Sequence, residues 1–261
     1  MKTFVYDHTP NVSELWDDCL YNLVYDPQKY VGDLEDLFKK LGVHKSSKIL
    51  DSSAGSGFPA LELKQKGYSV ECMDFSEQAI EVFERKARQR NVNLRCNRLS
   101  WLEIPSFYPK DFFDFVFCRG NSFIYASGGW ESKGILDSSS ALRDYERTLH
   151  SFYGSMAPRA WIYVDKFKDN EKFSKKQVGL VKIANKTYEW YFYRNPIHQE
   201  RVREAKMIFQ NGEELLPIVD FKTYLLSFKE LNGLMKKVGF RNIRKIRLPS
   251  EKDFDIMIAQ K

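Results

Sequence analysis

At 261 residues, the chain is long enough for one domain carrying an insertion or for two small domains. Hydrophobic residues make up 43% of it and charged residues 29%, which is typical of a soluble globular protein. The formal charge of +6 is spread along the chain, so composition alone does not indicate a nucleic-acid-binding surface. No apolar run approaches the roughly 18 residues of a membrane span, and the N-terminus lacks the apolar core of a signal peptide.

The cysteine and histidine patterns indicate a reducing environment and no metal. The four cysteines form no C-x-x-C pair, which is typical of reduced thiols in a cytoplasmic protein. The four histidines show no metal-ligand spacing. We therefore predict a cytoplasmic protein with no metal and no membrane partner.

Residues 1–45 are predicted to be an irregular start followed by an N-terminal helical cap. Apolar residues recur at helical spacing from Leu34 to Leu41, and Gly42 supplies a stop. From residue 47 onward, short apolar strands alternate with helices, which predicts a parallel sheet covered on both faces. The predicted strands are Lys48–Asp51, Tyr68–Asp74, about Val92–Cys96, Phe113–Cys118 and Ala160–Asp165, and the helices include Phe58–Lys66 and Ser138–Ser155.

Residues 168–226 follow a different pattern. Stretches rich in β-branched and aromatic residues, split by Asn195-Pro196 and Asn211-Gly212, predict an antiparallel insertion. A helix at Ser227–Val238 and strands at Phe240–Leu248 and Phe254–Gln260 then complete one domain spanning residues 1–261.

The stretch Asp51-Ser52-Ser53-Ala54-Gly55-Ser56-Gly57 is predicted to be a nucleotide-cofactor loop. It follows an apolar strand and leads into a helix, where backbone N–H groups can meet a ligand. Gly55 and Gly57 would allow positive φ values and a close approach to that ligand.

Three further features are predicted to complete the cofactor site. Asp74 ends the next strand and is placed to accept both hydroxyls of a ribose. Trp101, in Leu99-Ser100-Trp101, would either stack on a purine or pack in the core. The polar cluster from Cys118 to Phe123 directly follows a buried strand, where ligands of such sheets lie.

The loop fits either S-adenosylmethionine or a dinucleotide such as NAD. The dinucleotide pattern G-x-G-x-x-G allows alanine at its third glycine position, and Ala60 stands there. The acid at the strand end, the helical N-terminal cap and the final helix followed by two strands favour S-adenosylmethionine over NAD. Over roughly residues 15–165 the sequence resembles the glycine and sarcosine N-methyltransferases. The resemblance rests on Tyr21, the run from Leu50, Ser100-Trp101-Leu102 and Cys118-Arg-Gly-Asn-Ser-Phe123.

This resemblance implies a class I methyltransferase fold, an α/β Rossmann-like sheet of seven strands. The sheet would be mostly parallel with the last strand antiparallel, and an antiparallel β insertion would follow the fifth strand. The implied cofactor is S-adenosylmethionine, with S-adenosylhomocysteine as product. The predicted cofactor-binding residues are Tyr21, Tyr30, Ser53, Ala54, Gly55, Gly57, Asp74, Phe75, Ser100, Trp101, Cys118, Arg119 and Gly120.

The resemblance also implies that Tyr21 and Asn121 approach the methyl group and the substrate, and these are the predicted catalytic residues. Two positions depart from the family. Phe167 stands where the family has an arginine that clamps a carboxylate, and Ile124-Tyr125 stands where it has a histidine. Because losing a bidentate clamp is not conservative, we do not expect glycine itself to be the acceptor.

The insertion is the predicted substrate lid. In Tyr188–Arg194, alternation would place Tyr188, Trp190 and Phe192 on one face and Glu189, Tyr191 and Tyr193 on the other. The stretch could equally be a hairpin packed on the sheet edge or a dimer contact. The predicted substrate-binding residues are Asn121, Tyr125, Lys166, Tyr188, Tyr193, Arg194 and Tyr224.

The leading functional prediction is methyl transfer to a small-molecule amine. The aromatic insertion also suits an O-methyltransferase acting on a ring hydroxyl, and the basic segment Arg241–Arg247 suits an RNA-directed enzyme. A non-catalytic interaction protein with the same methyltransferase fold is a further interpretation. The sequence leaves open the acceptor, the number of methyl groups added and whether the chain forms a homo-oligomer.

Overall fold

The computed structural model describes residues 2–6, 10–23, 26–128, 138–183, 185–251 and 253–261, with only the backbone at 20–23, 138–139 and 217–219. The helices are α1 (Val12–Leu23), α2 (Pro27–Leu41), α3 (Ala60–Gln65), α4 (Glu77–Gln89), α5 (Ile104–Phe107), α6 (Ser138–Ser155) and α7 (Phe228–Val238). Two short 3₁₀ helices cover Trp101–Glu103 and Ser122–Ser127.

The strands divide into two sheets. The main sheet contains β2 (Lys48–Asp51), β3 (Ser69–Asp74), β4 (Cys96–Arg98), β5 (Phe113–Cys118), β6 (Met156–Phe167), β11 (Arg241–Ile246) and β12 (Phe254–Gln260). The second sheet, here called the lid sheet, contains β1 (Thr3–Tyr6), β7 (Ser174–Ile183), β8 (Lys186–Ile197), β9 (Val202–Asn211) and β10 (Glu214–Tyr224).

The main sheet confirms the predicted fold class. Its order is β11-β12-β6-β5-β2-β3-β4. The strands from β2 to β6 pair in parallel, and β12 is antiparallel to both of its neighbours. Parallel pairing brings the carboxyl ends of β2, β3, β4 and β5 to one edge of the sheet, where a ligand site is expected.

The predicted third strand was wrong in its bounds, since β4 starts at Cys96 rather than near Val92. Asn91 adopts a left-handed φ of 53°, and the Val92 N–H donates to the Ala87 carbonyl at 2.9 Å. These residues therefore end α4 in a turn that uses the backbone groups a strand would need.

The lid sheet confirms the predicted antiparallel insertion, with β7 to β10 joined as successive antiparallel neighbours. Two details differ from prediction. Asn195-Pro196 lies inside β8 instead of splitting two stretches, because Pro196 falls near the strand end, opposite Arg203. The start of the chain is not irregular throughout, because β1 pairs in parallel with β7.

Three apolar clusters hold these layers together. One lies on each face of the main sheet, and α2 contributes Leu34 and Phe38 to the first of them. The third packs α1, through Leu15 and Cys19, against the inward face of the lid sheet around Trp190. Helix α1 is therefore fixed to the lid by burial of apolar area.

Candidate cofactor and acceptor site

The loop after β2 is pinned to both neighbouring strands. Ser52 N–H donates to the carbonyl of Phe117 in β5 at 3.0 Å, and Ala54 N–H donates to the carbonyl of Met73 in β3 at 3.1 Å. The loop therefore crosses the carboxyl edge of the sheet at a fixed height, with its remaining backbone groups directed at the space beyond.

The two glycines of the loop have different roles. Gly55 has a φ of 52° and no atom within 4 Å of the place of a Cβ, so it borders open space. Gly57 has a φ of 109°, and a Cβ there would lie 2.6 Å from Leu61 Cδ1. Gly57 is thus required for packing of the loop on α3, whereas Gly55 leaves room for a ligand.

A cavity of about 330 Å³ lies beyond this edge, between the loop and α1. Its lining includes these predicted site residues: Ser53, Ala54, Gly55, Asp74, Phe75, Ser100, Trp101, Arg119, Gly120 and Tyr125. Within the described part of the chain, its lining does not include Tyr30, Gly57, Cys118, Asn121, Lys166, Tyr188, Tyr193, Arg194 or Tyr224. Tyr21 belongs to α1, but its side chain is outside the described residues.

Asp74 lines the cavity. One carboxylate oxygen accepts the Gly55 N–H at 2.8 Å, and the other accepts the Ser76 N–H at 2.9 Å. Burial raises the pKa of this carboxyl, while the backbone N–H groups of Ser76 and Gly55 lower it. Ser76 caps α4 separately, by accepting the Ala79 N–H at 3.3 Å, so Asp74 is not needed as the cap.

Asp51 is a buried acid directly beneath the loop, with an exposed fraction of only 1%. Oδ1 accepts the Ser53 N–H at 3.3 Å, and among the described residues Oδ2 has no hydrogen-bond partner. Burial raises the pKa of Asp51 to about 7, against the lowering effect of Arg119. Oδ2 is therefore buried without a compensating bond from this part of the chain, which adds to the cost of ionising the carboxyl.

Trp101 is held at one side of the cavity by its indole N–H, which donates to the Ser52 carbonyl at 2.6 Å. Its ring lies 6.4 Å from that of Phe123 and 6.0 Å from that of Phe152, centroid to centroid. The ring is half-buried, so one edge packs in the core while the residue also lines the cavity. The two readings offered for this residue are thus compatible.

Arg119 and Asn121 follow β5 in different environments. The Arg119 guanidinium lies over the rings of Phe58 and Tyr30, 4.9 and 5.4 Å from their centroids. Asn121 is buried at a φ of 62°; its N–H donates to Asp165 Oδ1 at 2.7 Å, and its side-chain oxygen accepts the Phe167 N–H at 3.1 Å. Asn121 therefore ties the loop after β5 to the end of β6.

The predicted acceptor residues of the lid are mostly engaged within it. The alternation along β8 is confirmed: Tyr188, Trp190 and Phe192 are buried in the cluster shared with α1. The Lys175 ammonium lies 5.2 Å from the ring centroid of Tyr193, on the other face.

The remaining predicted groups are paired. Lys166 Nζ donates to Asp169 Oδ1 at 2.6 Å, and the Tyr224 hydroxyl donates to Glu230 Oε1 at 3.1 Å. Arg194 lies 3.5 Å from a carboxylate oxygen of Glu171, in an ion pair.

Sequence reasoning placed only Tyr21 of α1 at the site and missed three other residues of that helix. Ser13, Trp16 and Asp17 line the cavity, Asp17 forms an ion pair with Lys86 of α4, and the Trp16 ring meets that of Phe192 edge-on at 5.5 Å. Helix α1 therefore bridges α4 and the lid above the cavity. Asp144 and Thr148 of α6 also line it, and no motif in the sequence marks them.

These residues fit an adenosine-type cofactor with a cationic amino-acid end. Asp74 presents a carboxylate where a ribose is expected, and Trp101 and the loop residues Ser53 to Gly55 line the same cavity. Gly55, where no atom lies within 4 Å of the place of a Cβ, lines the same cavity. Among the described residues, no group of three or more potential metal ligands occurs, and no helix is long and apolar enough to cross a membrane.

Comparisons with known proteins agree with this geometry. The profile of a family described as Methyltransferase domain matches residues 49–133. A glycine/sarcosine N-methyltransferase of Parasynechococcus marenigrum is 33% identical over 226 residues, covering 84% of this chain and 73% of that enzyme. The corresponding enzyme of Aphanothece halophytica is 29% identical over 113 residues, 43% of this chain and 40% of that enzyme's length.

The fold has close counterparts among solved structures. An S-adenosylmethionine-dependent methyltransferase from Clostridium acetobutylicum superposes with a TM-score of 0.69 at 12% identity, covering 95% of this chain and 96% of that one. At this identity the likeness concerns the fold alone.

Proposed function

The chain belongs to the class I S-adenosylmethionine-dependent methyltransferases, and we propose that it transfers a methyl group to the amine nitrogen of a small molecule. The observation that carries the proposal is Asp74, held by the Gly55 N–H at the wall of the cavity beside the glycine loop. The nitrogen acceptor is supported by the names of the relatives, which are glycine/sarcosine N-methyltransferases.

S-Adenosylmethionine supplies, when bound, a methyl group activated by its attachment to a positively charged sulfur. Asp74 would accept the ribose hydroxyls, and Trp101 and Ser100 would border the adenine. The loop from Ser53 to Gly55 would hold the amino-acid end, and the negative charge of the Asp51 carboxylate beneath this loop would attract the ammonium group of that end.

The remaining contribution of the protein is to position the acceptor and keep water out. Helix α1 covers the cavity, and its attachment to α4 and to the lid sheet would limit the entry of solvent. Burial raises the pKa of Tyr125, so its hydroxyl stays neutral and can accept or donate a hydrogen bond to orient an uncharged amine. Tyr21 and Asn121 remain proposed catalytic residues. Asn121 would act by fixing the position of the loop after β5, which it ties to the end of β6.

The packing of the lid lends less support to an aromatic acceptor. Tyr188, Trp190 and Phe192, which motivated the O-methyltransferase alternative, face α1 within an apolar cluster. The basic segment that motivated an RNA substrate forms edge strand β11, where Lys245 pairs with Asp255 at 2.6 Å. Both observations favour a small amine over these alternatives.

Two experiments test the proposal. Isothermal titration should show binding of S-adenosylmethionine and not of NADH. Incubation with methyl-labelled cofactor and matched panels of amines and phenols should then give labelled amines. Binding of NADH alone would contradict the cofactor, and labelling of phenols alone would assign the reaction to oxygen.

We also propose a location and an assembly state for the enzyme. The four cysteines are free and buried, which supports a reducing, cytoplasmic location. A homo-oligomer remains a prediction that sedimentation equilibrium would test.

A further inference from the structure

Helix α6 contributes two polar side chains to the cavity wall. Asp144 and Thr148 both line the cavity, and their spacing of four residues places them on one face of the helix. Thr148 has an exposed fraction of 3%, and no described residue forms a hydrogen bond with its hydroxyl. A buried hydroxyl is rarely left without a partner, so its position on the cavity wall indicates a group of a bound ligand.

The two ends of α6 contact different parts of the cavity wall. Toward the start of the helix, the Tyr145 hydroxyl donates at 3.1 Å to the carbonyl of Ile124, in the 3₁₀ helix that follows β5. Toward its end, the Ser151 hydroxyl donates to the carbonyl of Trp101, beside the proposed adenine position. Because an α-helix rises about 1.5 Å per residue, Asp144 lies about 10 Å along the axis from the contact with Trp101. Asp144 therefore belongs to the end of the cavity next to the 3₁₀ helix after β5.

The charge on the cavity wall is predominantly negative. Three lining residues are aspartates, and Arg119 is the only lysine or arginine among the described residues that line the cavity. Asp17 forms an ion pair with α4, and Asp74 accepts two backbone N–H groups at the proposed ribose position. Asp144 has a weaker partner, the Arg147 guanidinium, which lies 3.9 Å away and is 62% exposed. A surface ion pair of this kind contributes little, so Asp144 remains able to bind a second cation.

We propose that Asp144 and Thr148 bind a second, positively charged amino group of the methyl acceptor, so that the acceptor is a diamine. An alkylammonium group donates three N–H bonds and accepts none, whereas a carboxylate and a hydroxyl oxygen both accept. Tyr125, on the 3₁₀ helix that α6 contacts, lines the same cavity and would orient the amine that receives the methyl group. This inference rests on the proposed function, because it names the chemical class of the acceptor.

The test measures binding, so it does not depend on turnover. Isothermal titration of the full chain with S-adenosylhomocysteine present uses 1,4-diaminobutane as the probe, and 1,3-diaminopropane and 1,5-diaminopentane vary the distance between the two amines. The matched comparisons are 4-amino-1-butanol, which lacks the second charge, and 4-aminobutanoate, which reverses it. At least one diamine should bind about tenfold more tightly than both comparisons, because only a diamine carries an ammonium group at each end.

Asp144→Asn is the decisive variant because it keeps the shape of the side chain and removes its charge. Diamine affinity should fall about tenfold in this variant. Thr148→Val should lower it about threefold without lowering the unfolding midpoint Tm, because the hydroxyl has no partner among the described residues. Glu146→Gln is the matched control: Glu146 lies on the same helix, pairs with Lys237 at 2.7 Å, and should leave diamine affinity unchanged.

The proposal is overturned if Asp144→Asn binds the diamine within twofold of the unaltered chain, or if 4-aminobutanoate binds as tightly as the best diamine. It is also overturned if Asp144→Asn weakens S-adenosylhomocysteine binding as much as diamine binding, because Asp144 would then belong to the cofactor end.

Transfer of a labelled methyl group separates this inference from the proposed function. Selective diamine binding without labelling of any amine would support the cation site and contradict the proposed function. Labelling of monoamines with no preference for diamines would support the proposed function and overturn this inference.

Discussion

Replacing Asp51 by asparagine is expected to stabilise the cofactor-free protein above neutral pH. Asp51 is buried beneath the glycine loop with one oxygen unpartnered among the described residues, and its pKa is raised from 3.8 to about 7. Below pH 4 the carboxyl is protonated in both the folded and the unfolded chain. Between pH 4 and 7 only the unfolded chain releases the proton, so the free energy of unfolding falls as pH rises.

The interval from 3.8 to about 7 corresponds to about 4 kcal/mol, of which about 3 kcal/mol develops between pH 5 and 8. Local relaxation and entry of water make these upper values. Above pH 7 both states are ionised and the loss stays constant. An asparagine does not ionise, so Asp51→Asn should escape this loss while weakening cofactor binding.

The assay is urea unfolding followed by tryptophan fluorescence at pH 5 and pH 8, without cofactor. The gain in unfolding free energy of Asp51→Asn over the unaltered chain should be larger at pH 8. Asp36→Asn, at an exposed position of α2, is the control for removing one negative charge. Equal gains at both pH values, or a loss at pH 8, would refute the reasoning.

Three further changes have definite expectations. Asp74→Asn should weaken S-adenosylmethionine binding by about 1–3 kcal/mol in isothermal titration, because a carboxylate acceptor is lost; Glu77→Gln, an exposed acid at the same sheet edge, should not. Gly57→Ala should lower the urea-unfolding free energy by about 1–3 kcal/mol, because its Cβ would clash at positive φ. Gly32→Ala, with open space on α2, should raise it by about 0.5–1 kcal/mol. Trp101→Phe should cost about 1 kcal/mol in the same assay, since the indole N–H bond is lost.

Each of these has a contrary outcome. Cofactor affinity within twofold of the unaltered chain after Asp74→Asn would remove the ribose role. Equal effects of the two glycine changes would mean that φ and crowding do not govern the loop. An unchanged unfolding free energy after Trp101→Phe would mean that the hydrogen bond from the indole to the Ser52 carbonyl makes no net contribution to stability.

The parts of the site that follow directly from strand ends were predictable from sequence. The loop after β2 and Asp74 at the end of β3 lie at the cavity because parallel strands bring their carboxyl ends together. Asn121 shows the limit of that rule: the position follows β5 as expected, but its side chain bonds to the backbone of Phe167, 46 residues later. Sequence spacing does not indicate whether such a side chain faces the cavity or bonds to the backbone of a neighbouring strand.

Long-range packing accounts for the other differences. Strand β1 is too short to give a clear pattern and exists because β7 offers it an edge. Helix α1 was predicted as a cap, but the lining by Ser13 and Asp17 depends on its docking between α4 and a lid more than 150 residues downstream. The bounds of β4 differ because Asn91 tolerates a left-handed turn that the apolar run around it conceals.

The lid sheet has an apolar cluster of its own, shared with α1 and separate from the two clusters of the main sheet. Substitutions on its inward face therefore act on a different core from the one that carries the glycine loop. Because Trp16 of α1 and Tyr125 pack against this cluster and also line the cavity, such substitutions reach the cavity only indirectly, through these two side chains.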